Sequence, residues 1–332
     1  MNVGQLGEFG LIDMIAGIVG KPSRQGMVVG IGDDASVWRA DRLLQIATTD
    51  ILIQGIHFNL DTVTWRELGW KALAVNISDI AAMGGDPTYA LISLGLPPET
   101  EIESVAELYR GLMDIAARFG VDICGGNISG APVVVINVSL NGEAPDGLLT
   151  RSAAVAGDRI AVTGYLGQAA AGLEMLTSGI DFDPAMTSFL RDAHLRPYPR
   201  VAEARILASC GVKTAIDLSD GLVSDMKHIG EASGVAAVIW VDRLPVHPFV
   251  SAAYGSRALE FALTGGEDYE LLFTVGSGLV DDLQKSLPVP VAVIGEIVAG
   301  EPGEVFYLDK KGRRMEWTGR GWEHFRPAED HV

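Results

Sequence analysis

The sequence is short of cysteine, of positive charge and of long apolar runs, and each shortage excludes a class of protein. Two cysteines in 332 residues, Cys124 and Cys210, cannot build a disulfide framework and point to a reducing compartment. No run approaches the ~18 apolar residues of a membrane span. The first twenty residues, MNVGQLGEFGLIDMIAGIVG, lack the basic region of a signal peptide and read as an amphipathic helix. A cytoplasmic protein with no membrane partner is expected. Lys and Arg number 25 against 43 Asp and Glu, a formal charge of −18. Such a surface repels polyphosphate, which excludes nucleic acid as a general partner. A small phosphate ligand would need positive charge imported with it.

Several phosphate and acyl-transfer motifs are missing as well. There is no G-x-x-x-x-G-K-[ST] loop, no protein-kinase motif set and no G-x-S-x-G elbow. Gly30-Ile31-Gly32-Asp33-Asp34-Ala35 has the spacing of a dinucleotide fingerprint, but SVWRADRLLQIATTD after it reads as strand–turn–strand rather than helix. Two carboxylates also stand where a pyrophosphate would sit.

What is present is the composition of a globular protein, 48% hydrophobic and 20% charged, with length enough for two domains. Strands are expected at 27–37, 43–53 (after the polar turn 39–42), 88–95, 133–140, 159–163, 213–216, 236–241, 270–275 and 291–294. Helices are expected over 64–84, 100–119 and onward from Gln168. Turn residues across 141–158 set the boundary between an N-terminal domain, 1–148, and a C-terminal domain, 149–332. Alternating strands and helices in both halves give an α/β or α+β fold. Gly125-Gly126-Asn127 and Gly265-Gly266-Glu267-Asp268 read as tight backbone points or plain turns beside polar side chains. A short echo, Asn76-Ile77-Ser78-Asp79 and Asp217-Leu218-Ser219-Asp220, looks as though each copy leads into a helix.

A few carboxylates break the rule that acidic residues sit in polar surroundings. Asp33 and Asp34 follow VVGIG, Asp50 lies between IATT and ILI, Asp79 lies in AVNISDIAAMGG, and Asp217 and Asp220 lie in TAIDLSDGLV. Two such groups ~4 Å apart repel by about 4 kcal/mol at an effective dielectric of 20. Either they stay apart or cations hold them together. Nearby oxygen donors (Thr48, Thr49, Ser78, Ser219 and Asn127) suit a hard divalent ion, whereas the six scattered histidines do not suit zinc. Mg²⁺ binds through a few carboxylates plus substrate phosphates. An acidic protein could therefore bind a polyphosphate by loading metal first. The plainer alternative is turn and helix capping by Asp34, Ser78 and Ser219.

Nine segments in order resemble the thiamine-monophosphate kinase family: GIGDDASV (30–37), ATTDILIQGIHF (47–58), KALAVNISDIAAMGGDP (71–87), GGNIS (125–129), LTRSAAVAGD (149–158), AVTGYLG (161–167), AIDLSDGLVSD (215–225), LTGGEDYELLFT (263–274) and VIGEI (293–297). The resemblance implies the two-domain fold of the aminoimidazole-ribonucleotide-synthetase-like ATP-using enzymes, an α/β (α+β) architecture. Its N-terminal domain dimerises through its sheet and binds ATP and Mg²⁺, and an α/β C-terminal domain completes the substrate and metal site. It implies a homodimer that phosphorylates thiamine monophosphate to thiamine diphosphate with ATP and several Mg²⁺ ions.

Carried over by position, Asp34, Thr48, Thr49, Asp50, Asp79, Asn127, Asp217 and Asp220 are similar to the metal ligands, the five aspartates being the catalytic set. Gly126, Asn127, Tyr109, Arg151 and Ser219 are similar to nucleotide contacts, and His57, Glu267 and Trp322 to substrate contacts. Two departures stand out: Asn127 replaces the family's frequent Asp, and Trp322 its frequent Tyr. Rival readings are another enzyme of the superfamily, such as aminoimidazole ribonucleotide synthetase or selenophosphate synthetase, or a non-catalytic metal-binding scaffold. Selenophosphate synthesis typically needs a reactive cysteine near the N-terminus, and none is there.

Overall fold

The computed structural model describes residues 8–20, 27–29, 37–38, 44–317, 319 and 321–322. The chain divides into two compact units, Met1–Ile80 with Gly85–Pro145, and Ala81–Gly84 with Asp146–Val332. Among the described residues no helix is long and apolar enough to cross a membrane.

The first unit contains α1 (Glu8–Val19), β1 (Met27–Val29), β2 (Val37–Trp38), β3 (Leu44–Ile53), α2 (Trp65–Ala82, its end reaching into the second unit), β4 (Asp86–Leu96), α3 (Ile102–Phe119), β5 (Asp122–Gly130) and β6 (Val135–Ala144). Four strands form a sheet in the order β3-β6-β4-β5, antiparallel except for the β4/β5 pair. Residues 136, 138 and 140 of β6 are buried, and those between them only half-buried. The alternation fits a sheet with one face on the core and one open. Helix α3 buries Val105, Ala106, Leu108, Tyr109, Leu112, Ile115 and Ala116, the spacing of one helical face, and ends at left-handed Gly120. Helices α2 and α3 touch backbone to backbone. A Cβ on Gly69 would strike the Leu108 carbonyl, and one on Gly111 the Arg66 carbonyl.

The second unit contains β7 (Arg159–Thr163), α4 (Gln168–Ser178), α5 (Pro184–Leu195), α6 (Val201–Ser209), β8 (Thr214–Asp217), α7 (Leu222–Ser233), β9 (Ala236–Trp240), α8 (Pro248–Tyr254), α9 (Arg257–Thr264), β10 (Leu271–Val275), α10 (Val280–Ser286), β11 (Val291–Val298), β12 (Val305–Leu308) and β13 (Arg314–Met315). Seven strands pair in the order β13-β12-β9-β11-β7-β10-β8, antiparallel except for β9/β12. Every residue of β10 (LLFTV) is buried, as an apolar run flanked by strands on both sides in a covered sheet should be.

Three expectations need correction. The span 27–37 is not one strand: β1 and β2 pair with each other, antiparallel, and residues 30–36 lie outside the described residues, Asp33 and Asp34 among them. Gly125-Gly126-Asn127 is not a turn but the middle of β5. The first copy of the echo does not lead into a helix, because Asn76–Asp79 already lies inside α2; the second sits between β8 and α7.

The α2–α3 contact predicts that Gly111→Ala destabilises the protein by about 1–3 kcal/mol, as overpacking does. Gly179→Ala, at a left-handed helix end with nothing within 4 Å of its Cβ position, should cost less, about 1 kcal/mol. Urea denaturation of the two variants checks the order.

Candidate active site

In the first unit, sheet alternation sorts the expected ligands onto two faces. Thr48 and Asp50 of β3 point toward α2, where the Thr48 hydroxyl donates to Asp79 Oδ2 at 2.5 Å and the Asp50 N–H donates to Asn76 Oδ1 at 3.1 Å. Burial, the charge of Asp79 and a hydrogen bond with it all push the Asp50 carboxyl up, to about 7. The two aspartates therefore share space as expected. Ser78, in the same helix, is buried.

Thr49 points the other way. Its hydroxyl donates to the Val138 carbonyl at 3.0 Å and accepts from Asn137 (3.0 Å) and Ser139 (3.1 Å). The register sets Ile51, Asn137, Ser93 and Asn127 in one cross-strand row on that open face. Thr48, Asp50 and Asp79 are thus brought together, whereas Thr49 and Asn127 are not brought to them. Gly126 has a structural reason of its own, since a Cβ there would strike the Ile92 carbonyl of β4. His57 is half-buried, and its Nδ1 accepts the Ile53 N–H at 3.0 Å, which leaves the proton of the neutral ring on Nε2. Tyr109 is 3% exposed, on the buried face of α3.

In the second unit the candidates converge on one pair of loops. Asp217 ends β8 and is buried; Asp220 follows three residues on. The loop is stitched to 265–270 by the Glu267 N–H to the Ser219 carbonyl (2.9 Å), the Tyr269 N–H to the Leu218 carbonyl (2.9 Å) and the Leu218 N–H to the Glu270 carbonyl (2.8 Å). The Trp322 N–H donates to the Asp220 carbonyl at 3.0 Å, and the Trp322 side chain stays exposed. Ser219, Asp220, Glu267 and Trp322 are therefore neighbours. Arg151 lies apart from these loops, exposed, its carbonyl accepting from the Ser233 hydroxyl at 2.7 Å.

Sequence reasoning missed Asp225. It is 1% exposed in the first turn of α7, and its Oδ2 accepts from the N–H groups of Asp220 (3.3 Å) and Gly221 (3.1 Å). Burial and the charges of Asp217 and Asp220 hold its carboxyl well above the usual range. The signal was a third acidic residue five positions after Asp220 in SDGLVSD, one turn into a helix where the dipole favours a carboxylate. Among the described residues no three His, Cys, Asp or Glu side chains converge closely enough to hold a metal by themselves. A groove of about 440 Å³ in this unit, lined by Arg159, Trp240 and Arg243, contains none of the candidates.

The geometry can be set beside known proteins. The family profile for the N-terminal domain of AIR synthase related proteins matches residues 32–144. Thiamine-monophosphate kinase of Aquifex aeolicus is 36% identical over 98% of this chain and all of its own length. The crystal structure of thiamine-monophosphate kinase from Stenotrophomonas maltophilia K279a superposes with a TM-score of 0.81 at 35% identity, covering 90% of this chain and 96% of its own. A structure described as AaThiL complexed with AMPPCP and TMP gives 0.76 at 35% identity, with coverage of 98% and 99%. The chain belongs to the thiamine-monophosphate kinase family.

The pairing of Asp50 with Asp79 gives this member of the thiamine-monophosphate kinase family a defined pH response. The folded Asp50 carboxyl, at about 7 rather than 3.8, holds its proton more tightly than the unfolded one. Its contribution is therefore neutral below pH ~4 and increasingly destabilising as pH rises toward 7, by a few kcal/mol at most. In EDTA, Asp50→Asn should be more stable than wild type at pH 7.5 and gain much less at pH 5. Urea midpoints at the two pH values check this.

Proposed function

We propose that the chain transfers the γ-phosphoryl group of ATP to thiamine monophosphate, giving thiamine diphosphate and ADP, with Mg²⁺ as cofactor. The observation that carries the reading is similarity along nearly the whole chain to thiamine-monophosphate kinases, one of them described in complex with AMPPCP and TMP. The donor set fits magnesium: Asp50, Asp79 and Thr48 offer only oxygen, and the two carboxylates raise each other's energy when no cation lies between them. When bound, Mg²⁺ offsets the charge of the phosphates and of the transition state.

Thr48, Asp50 and Asp79 are assigned to hold that ion in the first unit, with Asp34 added from the sequence pattern. Asp217 and Asp220 are assigned the same task in the second. Asp225 shapes their loop by accepting two of its N–H groups. Thr49 and Asn127, on the open face, are assigned to a separate ligand position rather than to the Asp50–Asp79 pair. Gly126, Ser219 and Arg151 serve the nucleotide, Arg151 adding positive charge to an acidic protein. Glu267 and Trp322 serve the thiamine portion, with the indole supplying an apolar wall and His57 an Nε2–H donor. Tyr109, being buried, is left out of this set.

The terminal phosphate oxygen of thiamine monophosphate attacks the γ-phosphorus in line; the new P–O bond forms as the bond to ADP breaks. A phosphate monoester is largely ionised near neutral pH, its second pKa being about 6, so no strong general base is required. What the side chains contribute is position and charge. The open face of the first sheet, with Ile51 46% exposed on it, supports a homodimer formed there.

A coupled assay with ATP should show turnover of thiamine monophosphate and none of free thiamine, with no ³²P retained on the protein. Asp79→Asn and Asp217→Asn should lower turnover by at least about 10²-fold while thermal midpoints hold or rise slightly. Wild-type rates in either variant would overturn the assignment.

A further inference from the structure

Loop 265–270, between α9 and β10, carries its acidic residues in two different ways. Asp268, 7% exposed, accepts from the N–H groups of Gly167 (2.6 Å) and Ala169 (3.0 Å) at the start of α4. Glu270, 1% exposed, takes a two-pronged bond from Arg200 (Nε at 2.7 Å, Nη2 at 2.5 Å) and the Thr163 hydroxyl at 2.6 Å. These clamps and the stitches to 218–219 fix the main chain at Glu267 and at the residues that follow it. Glu267 and Tyr269 have φ of 68° and 50°, the only non-glycine residues with positive φ among those described. Such conformations persist only where the surroundings over-determine them.

A pinned backbone still leaves the Glu267 side chain three rotatable bonds. The side chain placed to restrain it is His194, through an ion-pair contact that carries charge when the ring is protonated. It stands at the C-terminal end of α5, 6% exposed, with Nδ1 3.3 Å from Glu267 Oε2. Gly172 of α4 gives α5 room to approach: a Cβ there would strike the Leu190 carbonyl and stand 3.0 Å from the His194 Cβ. We propose that His194 is a positioning residue that holds the Glu267 carboxylate ready for the cationic organic portion of thiamine monophosphate. This rests on the reading of Glu267 as a substrate contact. A carboxylate already immobilised saves the binding step that ordering, which is equivalent to roughly 3–10-fold in affinity.

The test measures KM for thiamine monophosphate, KM for ATP, kcat and thermal midpoint for His194→Leu, His194→Asn, Glu267→Gln and the double variant His194→Leu/Glu267→Gln. Asn retains a donor near the place of Nδ1. The expected result is a 3–10-fold rise in KM for thiamine monophosphate in His194→Leu, with KM for ATP and kcat little changed. Most of that rise should be recovered in His194→Asn, and the double variant should be no worse than Glu267→Gln. If Glu267→Gln raises KM and His194→Leu does not, positioning by His194 is overturned while the substrate role of Glu267 stands. If Glu267→Gln leaves KM unchanged, the substrate role itself fails and the proposal with it. Equal rises in both KM values with a falling midpoint and no recovery in Asn would show a structural role only. Should the Leu variant fail to fold, the Asn variant decides: it should keep KM for thiamine monophosphate within about twofold of wild type, and a larger rise would overturn the proposal.

Discussion

Like-charged carboxylates held close together in partly buried places are the constraint around which the rest of this protein is arranged. At ~4 Å two unit charges repel by about 4 kcal/mol at an effective dielectric of 20, against a total stability of roughly 5–15 kcal/mol for a domain. Asp50 and Asp79 cannot relax apart, because each sits on an element fixed by packing. Asp79 is flanked on α2 by Ile77 and Ile80, both at 0% exposure, and α2 is locked to α3 through Gly69 and Gly111. Asp50 lies inside a ten-residue strand paired along its length. The second unit repeats the situation with Asp217, Asp220 and the fully enclosed Asp225, whose carboxyl is held well above the usual range by burial first and by those acidic neighbours second. The scaffold supplies the energy that keeps these charges together.

The sheet of the first unit then separates two tasks by the simplest property of a strand, its alternation. One face carries Thr48 and Asp50 against α2; the other carries Thr49, Asn137 and Ser139 in a hydrogen-bonded polar patch. Adjacent residues in a TTD sequence thus serve different surroundings. A set of candidate residues written as a run of neighbours conceals this division, because period two sends every second side chain to the opposite side.

The long, strongly patterned elements could be read from the sequence within a few residues. The span 64–84 is α2 at Trp65–Ala82, and 159–163 is β7 as expected. Strand β5 could not, because its Gly-Gly-Asn looks like a turn; the glycine is demanded instead by the closeness of Ile92 on the neighbouring strand. The aspartates of the site stood out because apolar surroundings made them anomalous. Asp225 and His194 did not, since the first looks like an ordinary first-turn acid and the second becomes informative only opposite Glu267, 73 positions later by number. Partners supplied by tertiary structure leave no local trace.

The left-handed Glu267 shows how such a partner relation is built. Left-handed backbone normally falls to glycine, and two glycines precede it. Those two are committed elsewhere: a Cβ on Gly265 would run into the Phe261 carbonyl, and one on Gly266 into the Ser219 carbonyl. Gly265 lets the chain turn tightly off α9, and Gly266 lets loop 265–270 lie directly against Ser219, a contact that carries position 267 into its conformation. Glycine there would remove the strain but also the carboxylate. A strained side-chain-bearing residue just ahead of two buried acidic clamps is therefore best understood as a side chain kept for use, with Asp268 and Glu270 supplying the rigidity that glycine would have made unnecessary.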